Sequence, residues 1–331
     1  MYKDLNVLLA IFILIQYCIC ITNAGSVTVS GISSGAYMAV QFHVAFSSVV
    51  QGAGVIAGGP YYCANNDVLI ATTSCMADPS LINLTELYAA TDFAASTLTI
   101  DPTSNLASTK VWIYSGMKDT VVVQGVVKKL ETYYQHYIDA SQINTTYNIP
   151  SEHSFVTDNF GNNCSYLGPD YINNCNFNSA YNLLSFILPT EINPPSTTNS
   201  SKENFVEIDQ SQFIPYGTAL DAGLYDYAFA YIPPQCQQRN KGVCSVHIAY
   251  HGCLQTIPLI GDTFYVNTGY NEIADTNNLI ILYPQAQANT LNPKGCFDWW
   301  GYTGADYASQ LGVQMLTVKK MLDYLISEYN I

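Results

Sequence analysis

The chain has 331 residues, 25 acidic against 11 basic, for a net charge of −14 with Arg239 as its single arginine. So negative a chain repels phosphate backbones, which excludes a nucleic-acid partner. The length suffices for one large α/β domain or two smaller ones. Residues 7–21 form an almost unbroken apolar run, followed by Thr22-Asn23-Ala24. This is the layout of a secretory signal peptide occupying residues 1–24. The alternative is a membrane anchor, but the run is shorter than the roughly 20 residues a span needs, and no later run is longer.

Residues 26–31 alternate valine with small polar residues and predict a short strand. A helix follows over 36–47, with Met38, Val40, Phe42, Val44 and Ala45 as its apolar positions. Residues 111–114 read as a buried strand, 122–140 as a helix carried by Val126, Leu130, Tyr133, Tyr134 and Tyr137, and 144–149 as another strand. Residues 188–204 are rich in Pro, Ser, Thr and Asn and predict a linker, in an irregular stretch reaching 207. Strands are expected at 225–232, 246–250 and 279–283, and helices at 270–276 and 310–329. The last helix carries Asp323 and Glu328, which argues against a lipid-anchor signal. Strands alternating with helices predict a mostly parallel sheet covered on both faces.

Ten cysteines are present. Cys18 and Cys20 fall in the leader, so Cys63, Cys75, Cys164, Cys175, Cys236, Cys244, Cys253 and Cys296 remain. An even number in a secreted chain points to disulfides, though connectivity does not follow from sequence. The spacings hint at 63–75, 164–175 and 236–244, leaving 253 with 296. No metal is expected: there is no Cys-x-x-Cys, and His247 and His251, four apart in a strand, would lie about 13 Å from each other. Sequons at Asn83, Asn144, Asn163 and Asn199 fit a glycosylated surface.

Gly31-Ile32-Ser33-Ser34-Gly35 matches Gly-x-Ser-x-Gly between an expected strand and an expected helix. A nucleophile there sits on a turn too sharp for flanking side chains, hence the glycines. The alternative is a plain Ser/Gly-rich turn. A serine hydroxyl needs a base, and the base needs an orienting group. His43 and His136 lie in expected helices and His247 in an expected strand. His153 lies in the polar stretch 151–154 just after a strand, where a triad base belongs. Asp119, directly after the strand at 111–114, supplies the acid in the order Ser, Asp, His. Its alternative role is to cap the helix that follows.

Tyr250-His251-Gly252-Cys253 ends a strand in His-Gly, the usual source of the second oxyanion-hole amide in α/β hydrolases, the first coming from the residue after the nucleophile. This assigns the N–H groups of Ser34 and Cys253. Here the His-Gly strand follows the nucleophile instead of preceding it, which predicts a circular permutation. The two chain ends should then lie close together, and the linker cannot separate independent domains.

With Gly58-Gly59-Pro60-Tyr61-Tyr62-Cys63, the stretches 247–255 and 267–285, and Cys296-Phe297-Asp298-Trp299, these motifs resemble fungal extracellular poly(3-hydroxybutyrate) depolymerases over nearly the whole mature chain. The resemblance implies a single-domain, circularly permuted α/β hydrolase over residues 25–331, with a mostly parallel central sheet, helices on both faces and a surface linker at about 188–207. It implies Ser33, Asp119 and His153 as the triad, Ser34 and Cys253 as oxyanion donors, and all eight cysteines at family positions. It implies polymer contact for Trp299, whose alternative is a packed core tryptophan. Phe297 departs from the fungal pattern, which has Trp there, and the linker stretch is divergent.

The implied activity is hydrolysis of poly(3-hydroxybutyrate)-like aliphatic polyesters or oligoesters through an acyl-enzyme. It requires no cofactor, and the protein is expected to be a secreted, glycosylated monomer without a stable membrane anchor. Delivery to an acidic digestive compartment fits the same leader. Three alternatives share the fold or part of the site: an esterase for feruloyl or acetyl esters of polysaccharides, a catalytically silent binding protein, and a secreted peptidase.

Overall fold

The computed structural model describes residues 25–238 and 244–331; the signal-peptide and anchor expectations for 1–24, with Cys18 and Cys20, lie outside the described residues. Eight strands form one sheet. In chain order they are β1 (Val27–Ile32), β2 (Val50–Ile56), β3 (Lys110–Tyr114), β4 (Ile143–Thr146), then, after three short strands β5 (Phe155–Thr157), β6 (Asn162–Asn163) and β7 (Ile172–Asn174), β8 (Phe205–Asp209), β9 (Tyr227–Tyr231), β10 (Ser245–Tyr250) and β11 (Leu279–Tyr283). The spatial order is β4-β3-β2-β1-β10-β11-β9-β8. Every pair from β4 to β11 is parallel, and the two pairs at the β9–β8 edge are antiparallel. All residues of β1, β10's last five and all of β11 are buried, as expected of strands covered on both faces.

The helices are α1 (Ser34–Ala45), α2 (Val68–Thr72), α3 (Leu84–Ser96), α4 (Gln124–Gln135), α5 (Ser179–Ile187), α6 (Ile257–Ile260), α7 (Thr263–Asn267), α8 (Tyr270–Ala274) and α9 (Val313–Tyr329). Every residue of α1 is buried, against β1, β2 and β10. Its polar side chains are few, Ser34, Gln41 and His43, and so mostly apolar a helix belongs in an interior position. Strand β2 reads Val-Gln-Gly-Ala-Gly-Val-Ile, and its glycines hide it from a propensity reading. They serve a close approach: a methyl on Gly54 would strike Leu183 of α5, and one on Gly52 would lie 2.9 Å from Ile187 Cβ.

The sheet draws strands from both sides of the Pro/Ser-rich stretch. That stretch ends earlier than the sequence indicates, because residues 205–207 are already in β8. The helix expected over 122–140 stops at Gln135, with His136 as its C-cap. β5, β7 and β6 form a second, three-stranded sheet inserted between β4 and α5. The disulfides join Cys63–Cys75, Cys164–Cys175, Cys236–Cys244 and Cys253–Cys296, the pairs that the spacings suggest. β1 and β10 run side by side from Val27↔Val246 to Gly31↔Tyr250, and their pairing is pinned by buried His247, which bonds Thr28 at 2.8 Å and Ser30 at 2.7 Å. The first and last described residues adjoin, as the permutation requires: a methyl on Gly25 would sit 2.5 Å from Ile331 Cγ2. No helix among the described residues is long and apolar enough to cross a membrane.

Candidate active site

In a mostly parallel α/β sheet the crevice outside the carboxyl ends of the strands is where ligands bind. The loops after β1, β3, β4 and β10 meet there around a cavity of about 360 Å³, whose lining includes Ser33, Val121, His153, Cys253 and Trp299.

Ser33 links β1 to α1 at φ 55°, ψ −123°, a conformation non-glycine residues rarely hold unless the surroundings enforce it. Its N–H donates to Ile56 O at 2.9 Å, and its carbonyl accepts from Ala36 and Tyr37 N–H at 2.9 and 3.0 Å. The flanking glycines each have a defined task. A side chain on Gly31 would collide with the backbone of Gly35, so the turn could not close. One on Gly35 would collide with the carbonyls of Tyr250 and His251, so α1 could not approach the end of β10. Ser34 is the first residue of α1, and its N–H therefore has no acceptor within the helix.

His153 Nδ1 lies 2.9 Å from Asp119 Oδ2, with both side chains buried. The carboxylate accepts the Nδ1 proton, which leaves Nε2 as the basic nitrogen. Asp119 Oδ1 meanwhile accepts Val121 and Val122 N–H at 2.9 and 2.8 Å. It therefore closes the turn ahead of α4 and does not cap the helix, whose N-cap is Val123 without a side-chain bond. The two loops are zipped together: Met117 N–H donates to Ile149 O at 2.8 Å and Lys118 N–H to Ser151 O at 3.0 Å. Glu152 completes the join, accepting Thr120 N–H at 3.1 Å, Thr120 Oγ1 at 2.9 Å and His153 N–H at 2.9 Å.

The other four histidines are accounted for elsewhere. His43 is buried between Tyr134 and Thr109, and desolvation lowers its pKa to about 3. Burial does the same to His247. His251 falls to about 4, again through burial. His136 stacks on Tyr88 at 4.0 Å between ring centres. Only His153 lines the cavity.

One wall is aromatic. Trp299 stacks on Tyr37 at 4.1 Å, and the Tyr37 hydroxyl donates to the Cys75 carbonyl. Trp299 is only 5% exposed, so it is a packed residue that also faces the cavity. Trp300, perpendicular to it and half-buried, offers more surface to a ligand, and sequence reasoning passed it over. The Trp-Trp doublet was the signal available. Phe297 does not line the cavity; it packs edge-on against Tyr250 at 5.1 Å and beside His251 at 4.8 Å. Leu167 and Tyr171, from the inserted sheet, also face the cavity, and no local pattern marks them. Among the described lining residues there is no carboxylate, and Lys294 is the one permanently charged group. The sequon residues Asn83, Asn144, Asn163 and Asn199 are all exposed.

No protein-family model matches the sequence. A poly(3-hydroxybutyrate) depolymerase of Delftia acidovorans is 42% identical over 301 residues, which is 91% of this chain and 59% of that protein. The chain thus spans about three-fifths of that relative's length. A polyhydroxybutyrate depolymerase of Talaromyces funiculosus is 35% identical over 325 residues, covering 93% of this chain and 91% of the relative. Among solved structures, PHB depolymerase from Penicillium funiculosum superimposes with a TM-score of 0.83 at 33% identity, over 93% of this chain and 98% of that one. A serine-to-alanine variant of PHB depolymerase complexed with an R3HB trimer gives the same figures.

Proposed function

Because this chain belongs to the poly(3-hydroxybutyrate) depolymerase family, we propose that it is a serine esterase that cleaves aliphatic polyesters or oligoesters of 3-hydroxybutyrate through an acyl-enzyme. The observation that carries this reading is the Asp119–His153 bond at the edge of the cavity that Ser33 enters from its strained turn. His153 Nε2 removes the proton from Ser33 Oγ as the oxygen attacks the ester carbonyl, and the oxyanion rests on the N–H groups of Ser34 and Cys253. His153 then protonates the departing hydroxyl of the downstream unit. A water molecule, deprotonated by the same nitrogen, releases the acid and restores Ser33.

The cavity's apolar and aromatic lining suits the methyl-bearing backbone of such a polyester, and the lack of carboxylates avoids repelling its carbonyl oxygens. Four disulfides support an oxidising, extracellular setting for a monomeric enzyme formed by residues 25–331 as one domain. The test is release of 3-hydroxybutyrate from amorphous poly(3-hydroxybutyrate) by the wild type and by Ser33→Ala. Release by the wild type and its loss in the variant are expected. Cleavage of p-nitrophenyl butyrate without polymer release would keep the esterase and discard the polyester. Silence on both esters would leave a binding protein on an esterase fold.

A further inference from the structure

An oxyanion hole works only if its N–H groups point at the developing charge before the reaction begins. For Cys253 the direction of that N–H is set by the peptide group joining it to Gly252, and both polar atoms of Gly252 are taken. Its N–H donates to Gln255 Oε1 at 2.7 Å. Its carbonyl oxygen lies 2.7 Å from Nδ1 of His251 and takes a longer bond, 3.4 Å, from the Gln255 N–H. Nε2 of the same ring accepts the N–H of Ala286 at 3.0 Å. A main-chain N–H can only donate, so Nε2 carries no proton and Nδ1 carries the one that the Gly252 carbonyl accepts.

We infer that His251 is a positioning residue for catalysis: its Nδ1–H holds the Gly252 carbonyl back in the core, and so aims the Cys253 N–H, on the opposite side of the same trans peptide, into the cavity. The inference rests on the reading of Ser33 and Cys253 given above. A planar trans amide carries its C=O and N–H antiparallel, so fixing one fixes the other. Everything around the ring serves the same end. His251 is fully buried against Phe264 and Phe297, away from water. Gln255, itself buried, donates from Nε2 to the carbonyls of Asp170 and Tyr171 at 2.9 and 3.2 Å, which orients its Oε1 toward Gly252. The Cys253–Cys296 bond fixes the side chain of the donor residue. Among the described residues the Gly252 N–H has an acceptor and its carbonyl has donors, whereas the Cys253 N–H has no acceptor in the protein.

The experiment compares wild type, His251→Leu and His251→Asn, the last of which returns an N–H donor near the place of Nδ1. Three quantities are measured: kcat and KM on p-nitrophenyl butyrate, the Ki of a trifluoromethyl ketone that forms a tetrahedral adduct with Ser33, and the Ki of the matching alcohol, which cannot. His251→Leu is expected to lose about 100-fold in kcat with KM within about threefold, the size of one oxyanion donor. The ketone should weaken by a similar factor and the alcohol hardly at all. His251→Asn is expected to recover at least tenfold of the lost kcat. A folded His251→Leu with kcat within threefold of wild type overturns the inference, as does a loss that appears equally in KM and in alcohol binding. Should the leucine variant not fold, the asparagine variant carries the test: near-complete loss of kcat in that folded protein would overturn it. A wild type that neither turns over the ester nor binds the ketone would instead count against the esterase reading.

Discussion

At the scale of single residues, Asp119 divides its two oxygens between a turn and a histidine. One oxygen caps the turn at Val121 and Val122 and the other holds His153. The two roles separate experimentally. Asp119→Asn keeps an oxygen for the turn, so thermal stability should change by less than about 1 kcal/mol, while the imidazole is released to the wrong tautomer and kcat should fall by about 10⁴-fold. Calorimetry and ester turnover on the same preparation check both halves. The buried histidines give a pH prediction. His43, His247 and His251 have folded pKa values lowered by burial to about 3, 3 and 4, against 6.5 for the free side chain. Below pH 6.5 the unfolded chain therefore binds more protons than the native one. The stabilisation is complete above that value and is lost as pH falls toward the folded pKa, at about 1.4 kcal/mol per pH unit for each histidine. Urea unfolding at pH 6, 5 and 4.5 should show a declining midpoint, and His43→Gln, which does not titrate, should decline less steeply. The sequence exposed Ser33, Asp119 and His153 because each sits in a short motif at a strand end. Gln255 and Tyr171 are fixed by contacts distant in sequence, which no local pattern reveals, whereas Trp300 had only its doublet with Trp299 to mark it.

At the scale of elements, the loop carrying the aromatic wall depends on one carboxylate. Asp298 is buried and accepts N–H bonds from Trp300, Gly301, Tyr302 and Thr303, plus the Thr303 hydroxyl. Desolvation raises its pKa, and the bonds from Thr303, Gly301 and Tyr302 work against that rise. Asp298→Ala should strand four buried or half-buried N–H groups, costing at least about 2 kcal/mol in urea unfolding. Because Trp299 and Trp300 then lose their support, KM for an oligoester should rise by more than kcat falls. An equal drop in kcat with KM unchanged would show that the wall does not bind substrate. Element recognition from sequence followed a simple division. Strands β3, β10 and β11 are compact runs of Val, Ile, Leu and aromatic residues and are legible at once. β2 is broken up by the glycines that admit α5. β5 to β7 are two or three residues long, held by the Cys164–Cys175 closure and by neighbouring loops rather than by any periodicity of their own.

At the scale of the whole molecule, the permuted order was legible because two motifs whose roles require adjacency, Ser33 and His251-Gly252, lie far apart in the chain. Their adjacency is now explicit in the β1–β10 register. The seam can be moved. Joining Ile331 to Gly25 through a short Gly/Ser linker and opening the chain between Thr198 and Asn199, in exposed irregular backbone, should give a protein with unchanged far-UV circular dichroism and ester turnover within a few-fold of the parent. Failure to fold would show that the break beside β1 is itself required.

The same central pair also sets a timetable. Synthesis delivers the Ser33 turn early and the His251-Gly252-Cys253 turn some 220 residues later, since the paired residues of β1 and β10 are 219 positions apart. Until β10 arrives, one side of β1 is an open apolar edge, and the longest loop in the sheet must close to cover it. On the proposed mechanism, a growing or prematurely terminated chain therefore displays Ser33 without Cys253, and ester cleavage should switch on only when the last third is made.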